Sequence, residues 1–106
     1  MEHTLTAKLR EAGVVGAGGA GFPTAVKLNV GENPDSKPEF IIVNGVECES
    51  LIRVDQQLAA LHAPALLATL NELVTSLGAK GGIFAIKEKY TDAFNALSAE
   101  IKKYPL

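Results

Sequence analysis

Five glycines fall within nine residues of this chain, in the run Gly13-Val14-Val15-Gly16-Ala17-Gly18-Gly19-Ala20-Gly21. A glycine inside a helix or strand costs about 0.5–1 kcal/mol relative to alanine, so this density predicts a loop and excludes a regular element there. The rest of the fold must be built on either side of it. Upstream, Leu5, Leu9 and Ala12 recur at helical spacing with Lys8, Arg10 and Glu11 between them. That pattern predicts a short amphipathic helix over 5–12, stopped by Gly13. Downstream, Phe22-Pro23-Thr24 places proline where the first turn of a helix tolerates its missing N–H, so a helix over 23–28 is expected.

Residues 31–38 are polar, contain Pro34 and Pro38, and read as an exposed connection. Phe40-Ile41-Ile42-Val43 is a continuous apolar, β-branched run, as expected of a strand buried on both faces in a parallel sheet. Asn44-Gly45 ends it, and residues 47–55 read as a polar loop. Leu66, Leu67, Leu70, Leu73, Val74 and Leu77 then mark one side of a long helix over 63–77, with Gly78 placed to cap it. Gly82-Ile83-Phe84-Ala85-Ile86 is a second strand of the buried type. Thr91 or Asp92 can cap a last helix carrying Ala93, Phe94, Leu97 and Ile101. Strands alternating with helices predict parallel pairing and a right-handed crossover. The expected architecture is a small three-layer, nucleotide-binding-like α/β domain with a short, mostly parallel sheet. Two strands make a very small sheet, and a further strand is expected after Tyr104-Pro105-Leu106. Residues 1–106 therefore read as a single domain that is the front part of a larger one.

A formal net charge of -2 with no dense Lys/Arg run argues against a general nucleic-acid binder. Cys48 is the one cysteine, so no internal disulfide can form, and alone it builds neither a zinc nor an iron–sulfur site. A reducing, cytoplasmic setting follows as the default. No apolar run approaches the roughly 20 residues that span a bilayer, so direct membrane insertion is not expected. Met1-Glu2-His3-Thr4 lacks the basic and apolar regions of a signal peptide.

Gly16-Ala17-Gly18-Gly19-Ala20-Gly21 has the form G-x-G-x-x-G. The dinucleotide fingerprint needs a strand before that motif and an acidic residue about 20 positions on. Here a helix precedes it, with Val14-Val15 as a strand stub at most, and Glu47 lies too far along. No Gly-Lys-Ser/Thr closes a Walker loop either. The physics of anion binding still applies. Glycines uncover backbone N–H groups and let the chain approach a phosphate closely. The next helix would direct its N-terminus at that phosphate, and Lys27 would add a full charge about one turn in. Among the remaining polar residues, Cys48 lies between two glutamates, which raise its thiol pKa and blunt its reactivity. His62 has no partner at metal-ligand spacing, and His3 lies near the chain end, so both read as structural or solvent-facing.

The segment Gly16-Ala17-Gly18-Gly19-Ala20-Gly21-Phe22-Pro23-Thr24 with Lys27 resembles the flavin loop of the complex I flavoprotein subunit. It resembles still more the RnfC component of Rnf electron-transport complexes and the cobalamin reductase of propanediol-utilising microcompartments. A second block, Val43-Asn44-Gly45-Val46-Glu47-Cys48-Glu49-Ser50, is similar to their Asn-Gly-Ala-Glu-Cys-Glu-Pro segment, and Arg53-Val54-Asp55-Gln56-Gln57-Leu58 continues it. The resemblance implies an FMN-binding α/β domain with NADH stacking nearby. Gly16, Gly18 and Gly19 would face the flavin mononucleotide, Lys27 its phosphate, and Phe22 the dinucleotide. Asn44 and Glu47 would meet the flavin or its ribityl chain, and Glu49 the nicotinamide dinucleotide. Ala17 stands where complex I flavoproteins carry arginine, and Ser50 replaces the usual proline. Lys87-Glu88-Lys89-Tyr90 stands where those flavoproteins have a Gly-Glu-Tyr-like segment, which makes Glu88 the matching third contact. The resemblance further implies that NADH reduces FMN, which passes electrons to iron–sulfur centres in missing parts of the protein or in partner proteins. That describes a part of an NADH:acceptor oxidoreductase, in the cytoplasm or on the cytoplasmic face of a membrane complex. Two alternatives remain at this point: a cofactor-binding module without catalysis, and a partner-interaction domain that has lost its cofactor.

Overall fold

A computed structural model of the chain describes residues 4–17, 19–29, 37–46 and 52–105. The two predicted strands pair with each other. β1 (Phe40–Asn44) and β2 (Gly81–Ala85) run parallel, in register from Phe40 opposite Gly81 to Asn44 opposite Ala85. Beyond β1, the Gly45 N–H donates to the Ala85 carbonyl at 2.7 Å. At the other end the Lys80 N–H donates to the Glu39 carbonyl at 2.8 Å, and the Lys80 ammonium lies 2.9 Å from the Glu39 carboxylate. Both side chains of that ion pair are largely exposed, so it contributes at most about 1 kcal/mol.

Parallel strands need a crossover. Here it consists of α3 (Val54–Leu61) and α4 (Ala63–Leu77), bent by 88° at His62. The bend keeps its backbone satisfied: the His62 N–H donates to the Leu58 carbonyl at 2.8 Å, and the His62 carbonyl accepts the Leu66 N–H at 2.9 Å. α5 (Thr91–Ile101) follows β2. The helix α4 occupies the predicted span, with Ala63, Leu67, Leu70, Val74 and Leu77 buried along one stripe. Gly78 ends it at φ 69°, and the Ala79 N–H returns to the Val74 carbonyl at 3.0 Å. An L side chain in that left-handed region costs about 1–2 kcal/mol. Gly78→Ala is therefore expected to lower unfolding stability by about 1 kcal/mol, read as a lower urea midpoint at unchanged slope.

α3 corrects the expected loop over 47–55, whose described part becomes helix from Val54 onward. The reason is physical. Val54, Leu58 and Leu61 stand at helical spacing but are exposed and only Ala59 is buried, so this short apolar set does not offset the polar residues Arg53, Asp55, Gln56 and Gln57, which read as loop. It is held instead by packing on α5. Asp55 in its first turn complements the helix dipole. At α5 neither Thr91 nor Asp92 acts as the expected cap. Tyr90 holds the cap position without a side-chain hydrogen bond, and the Thr91 hydroxyl donates to the Lys89 carbonyl at 3.4 Å.

The core joins Ala59 of α3, Leu67, Leu70 and Val74 of α4, and Ala93 and Leu97 of α5. It meets the sheet through Ile41, Val43 and Phe84. Gly82 lets α4 lie close: a Cβ there would fall 2.9–3.1 Å from three carbons of Leu70. The opposite sheet face carries Phe40, Ile42 and Ile83, which are 48%, 63% and 45% exposed. Burial of both strand faces is thus met on one face only among the described residues, because the core of α3, α4 and α5 reaches the inward-pointing set alone.

Before the sheet, α1 (Thr4–Ala12) packs on α2 (Thr24–Lys27), with Thr6 and Ala25 buried. α2 is a single turn, shorter than the span expected, because Leu28 leaves helical geometry at φ -92° and ψ 0° and caps it. No single helix among the described residues is long and apolar enough to cross a membrane.

Candidate functional site

The glycine run folds as a clamped hairpin. Val15 and Pro23 form an antiparallel bridge. The Gly16 N–H donates to the Phe22 carbonyl at 2.8 Å, and the Thr24 N–H to the Val14 carbonyl at 3.1 Å. The Val14 N–H donates to the Leu9 carbonyl at 3.1 Å, which ties the hairpin to the end of α1. Of the described residues, 17 and 19–21 are left as the tip. Gly19 and Gly21 sit at φ 110° and 64°, and a Cβ at either would meet nothing within 4 Å. Glycine is therefore demanded there by the backbone and not by crowding. The same open space gives an approaching ligand direct access to the main chain. Gly16 differs: a Cβ there would touch the Phe22 carbonyl at an ordinary 3.6 Å.

Phe22 is half-exposed beside the tip, and Lys27 is exposed one turn further on. Gly18 lies outside the described residues. The helix expected to direct its dipole at an anion is one turn long, so it builds little macrodipole. Lys27 is the charged side chain that closes this one-turn helix.

A second locus lies at the carboxyl ends of the strands, where open α/β sheets receive ligands. Asn44 is exposed there as the last residue of β1, and its Oδ1 accepts the Val46 N–H at 3.1 Å. That turn fixes the side-chain carbonyl, which leaves the amide N–H₂ as the donor group. Gly45 is buried beneath the Phe84 ring. Past β2 the chain turns through Lys87-Glu88-Lys89-Tyr90, with Glu88 exposed. The Lys87 and Lys89 ammonium groups each lie 5.8 Å from the Tyr90 ring centroid. Asn44 and Glu88 are thus brought to the same end of the sheet. Glu47 and Glu49, with Cys48 and Ser50, lie outside the described residues.

Between α3 and the start of α5, a cleft of about 150 Å³ is lined by Gln56, Gln57, Lys89, Tyr90, Thr91 and Asp92, among others. Typical small-molecule pockets begin near 300 Å³, so this crevice is too small to hold a nucleotide by itself. Gln56 and Gln57 line this crevice from α3, just past the stretch expected as loop. Among the described residues no group of three or more His, Cys, Asp or Glu side chains is placed to hold a metal ion. His62 is exposed at the bend between α3 and α4 and makes no side-chain cap hydrogen bond there, as a solvent-facing residue would.

Comparison with known proteins agrees with the resemblance drawn from the two motifs. The family described as the Nuo51 FMN-binding domain matches residues 9–106. The cobalamin reductase PduS of Citrobacter freundii is 46% identical over 96 residues, which cover 91% of this chain and 20% of that protein. The C component of the Na(+)-translocating ferredoxin:NAD(+) oxidoreductase complex of Acetobacterium woodii is 38% identical over 86 residues, covering 81% of this chain and 19% of that protein. The C component of the ion-translocating oxidoreductase complex of Pseudomonas aeruginosa is 37% identical over 101 residues, covering 95% and 13%. The chain spans a fifth or less of the length of these relatives.

Proposed function

The chain belongs to the Nuo51 FMN-binding domain family, and from that premise we propose that it is the FMN-binding portion of an NADH-dependent electron-transfer flavoprotein. The observation that carries this reading is the clamped glycine hairpin, with open space over Gly19 and Gly21 and Lys27 one turn away. The residues present fit the phosphate end of the cofactor. Gly18 and Gly19 would present main-chain N–H groups to it, Gly16, whose own N–H is taken by the Phe22 carbonyl, would face it at the clamp, and Lys27 would balance its charge. Asn44 donates to the flavin or its ribityl chain, and Glu47 accepts from hydroxyls or ring N–H groups. Phe22 offers a flat apolar surface to the dinucleotide, with Glu49 and Glu88 as its polar contacts. Bound FMN supplies the redox chemistry, taking a hydride and releasing single electrons, and the protein supplies binding and orientation. NADH is the reductant in this reading. In this reading the iron–sulfur acceptors lie outside these 106 residues, in further segments or in partner proteins, on the cytoplasmic side or in a microcompartment. Because the chain spans so little of its relatives, it is not expected to sustain turnover by itself.

The test is direct. The purified chain titrated with FMN should turn yellow, gain thermal stability and retain a flavin absorbance spectrum after desalting. Bleaching on addition of NADH separates an electron-transfer unit from a bare binding module. If saturating FMN and NADH both leave the melting temperature unchanged, the chain is an interaction domain and the proposal fails.

Two substitutions probe the hairpin. Lys27→Ala removes a charge-assisted contact to phosphate and should weaken FMN about 10-fold while leaving riboflavin unaffected. Equal loss for both ligands would show that Lys27 does not read the phosphate. Gly19→Val puts a branched side chain into the open space beside the tip. It should cost about 1–2 kcal/mol of stability through its positive φ. Its effect on FMN affinity should be larger, because the ligand meets the new side chain as well. A variant that binds FMN as tightly as the parent would place the cofactor elsewhere.

A further inference from the structure

We draw no further inference here: the strongest candidate, the bare apolar face of the two-stranded sheet at Phe40, Ile42 and Ile83, offers three side chains where a stable dimer needs about 800 Å² per partner, and nothing in the structure shows what covers it.

Discussion

Leu67→Ala is expected to cost the fold about 3 kcal/mol, a large share of the roughly 5–15 kcal/mol that holds a domain of this size together. Leu67 is 0% exposed, at the centre of the cluster where α4 meets α3, α5 and the sheet. Truncation removes the burial of its side chain and leaves a cavity. The surrounding elements cannot collapse into that cavity without moving α4 off β1 and β2. With a urea slope of about 2 kcal/mol/M, the midpoint should fall by about 1.5 M at unchanged slope. Leu61→Ala is the matched control. Leu61 lies six residues earlier, carries the same side chain and is 75% exposed. Its loss should stay within about 0.5 kcal/mol. Similar losses at the two positions would mean that the core does not centre on α4.

That pair of leucines also shows which parts of the fold the sequence makes legible. The stripe of α4 reads directly because Leu67, Leu70, Val74 and Leu77 pack inward at helical spacing, and Gly78 supplies the stop. α3 reads only in part: Val54, Leu58 and Leu61 stand at helical spacing, but the polar residues Arg53, Asp55, Gln56 and Gln57 at its start read as loop. What holds the helix is its packing on α5, a tertiary contact that no local window contains. The strands read as strands from their apolar runs, and their parallel pairing follows from the helices between them. The exposure of Ile42 and Ile83 does not follow, since local pattern cannot say how many layers cover a sheet.

The candidate site divides in the same way. The density of glycine announces a loop, but one isolated bridge between Val15 and Pro23 has no periodicity to betray it. The hairpin clamp therefore appears only in the structure. The Asn44–Gly45 pair is legible as a strand end from its residue types. Its closeness to the turn that bears Glu88 emerges from the register of β1 on β2. The short α2 removes most of the helix-dipole argument made from Pro23, so the case for phosphate rests on the backbone of the tip and on Lys27.

Gly45→Ala should be the most damaging single-methyl change near the proposed site. A Cβ at Gly45 would lie 2.9 Å from Cε1 of Phe84 and 3.0 Å from the Ala85 carbonyl oxygen. The first contact can be relieved only by turning Phe84, which packs against the core. The second involves backbone, and the same carbonyl accepts the Gly45 N–H at 2.7 Å. Relief there means prying the strand ends apart and weakening that hydrogen bond. Overpacking of this kind costs about 1–3 kcal/mol. Gly81→Ala is the control within the same sheet, because its Cβ would touch the Phe40 ring at 3.6 Å, an ordinary contact. Urea denaturation should therefore separate the two variants by about 2 kcal/mol. Under the proposed function, Gly45→Ala should also weaken FMN beyond what its lost stability explains, since Asn44 precedes the displaced residue and its Oδ1 holds the turn at Val46. If Gly45→Ala proves as stable as Gly81→Ala, the strand ends do not close as described, and Asn44 loses the support for its proposed place beside the cofactor.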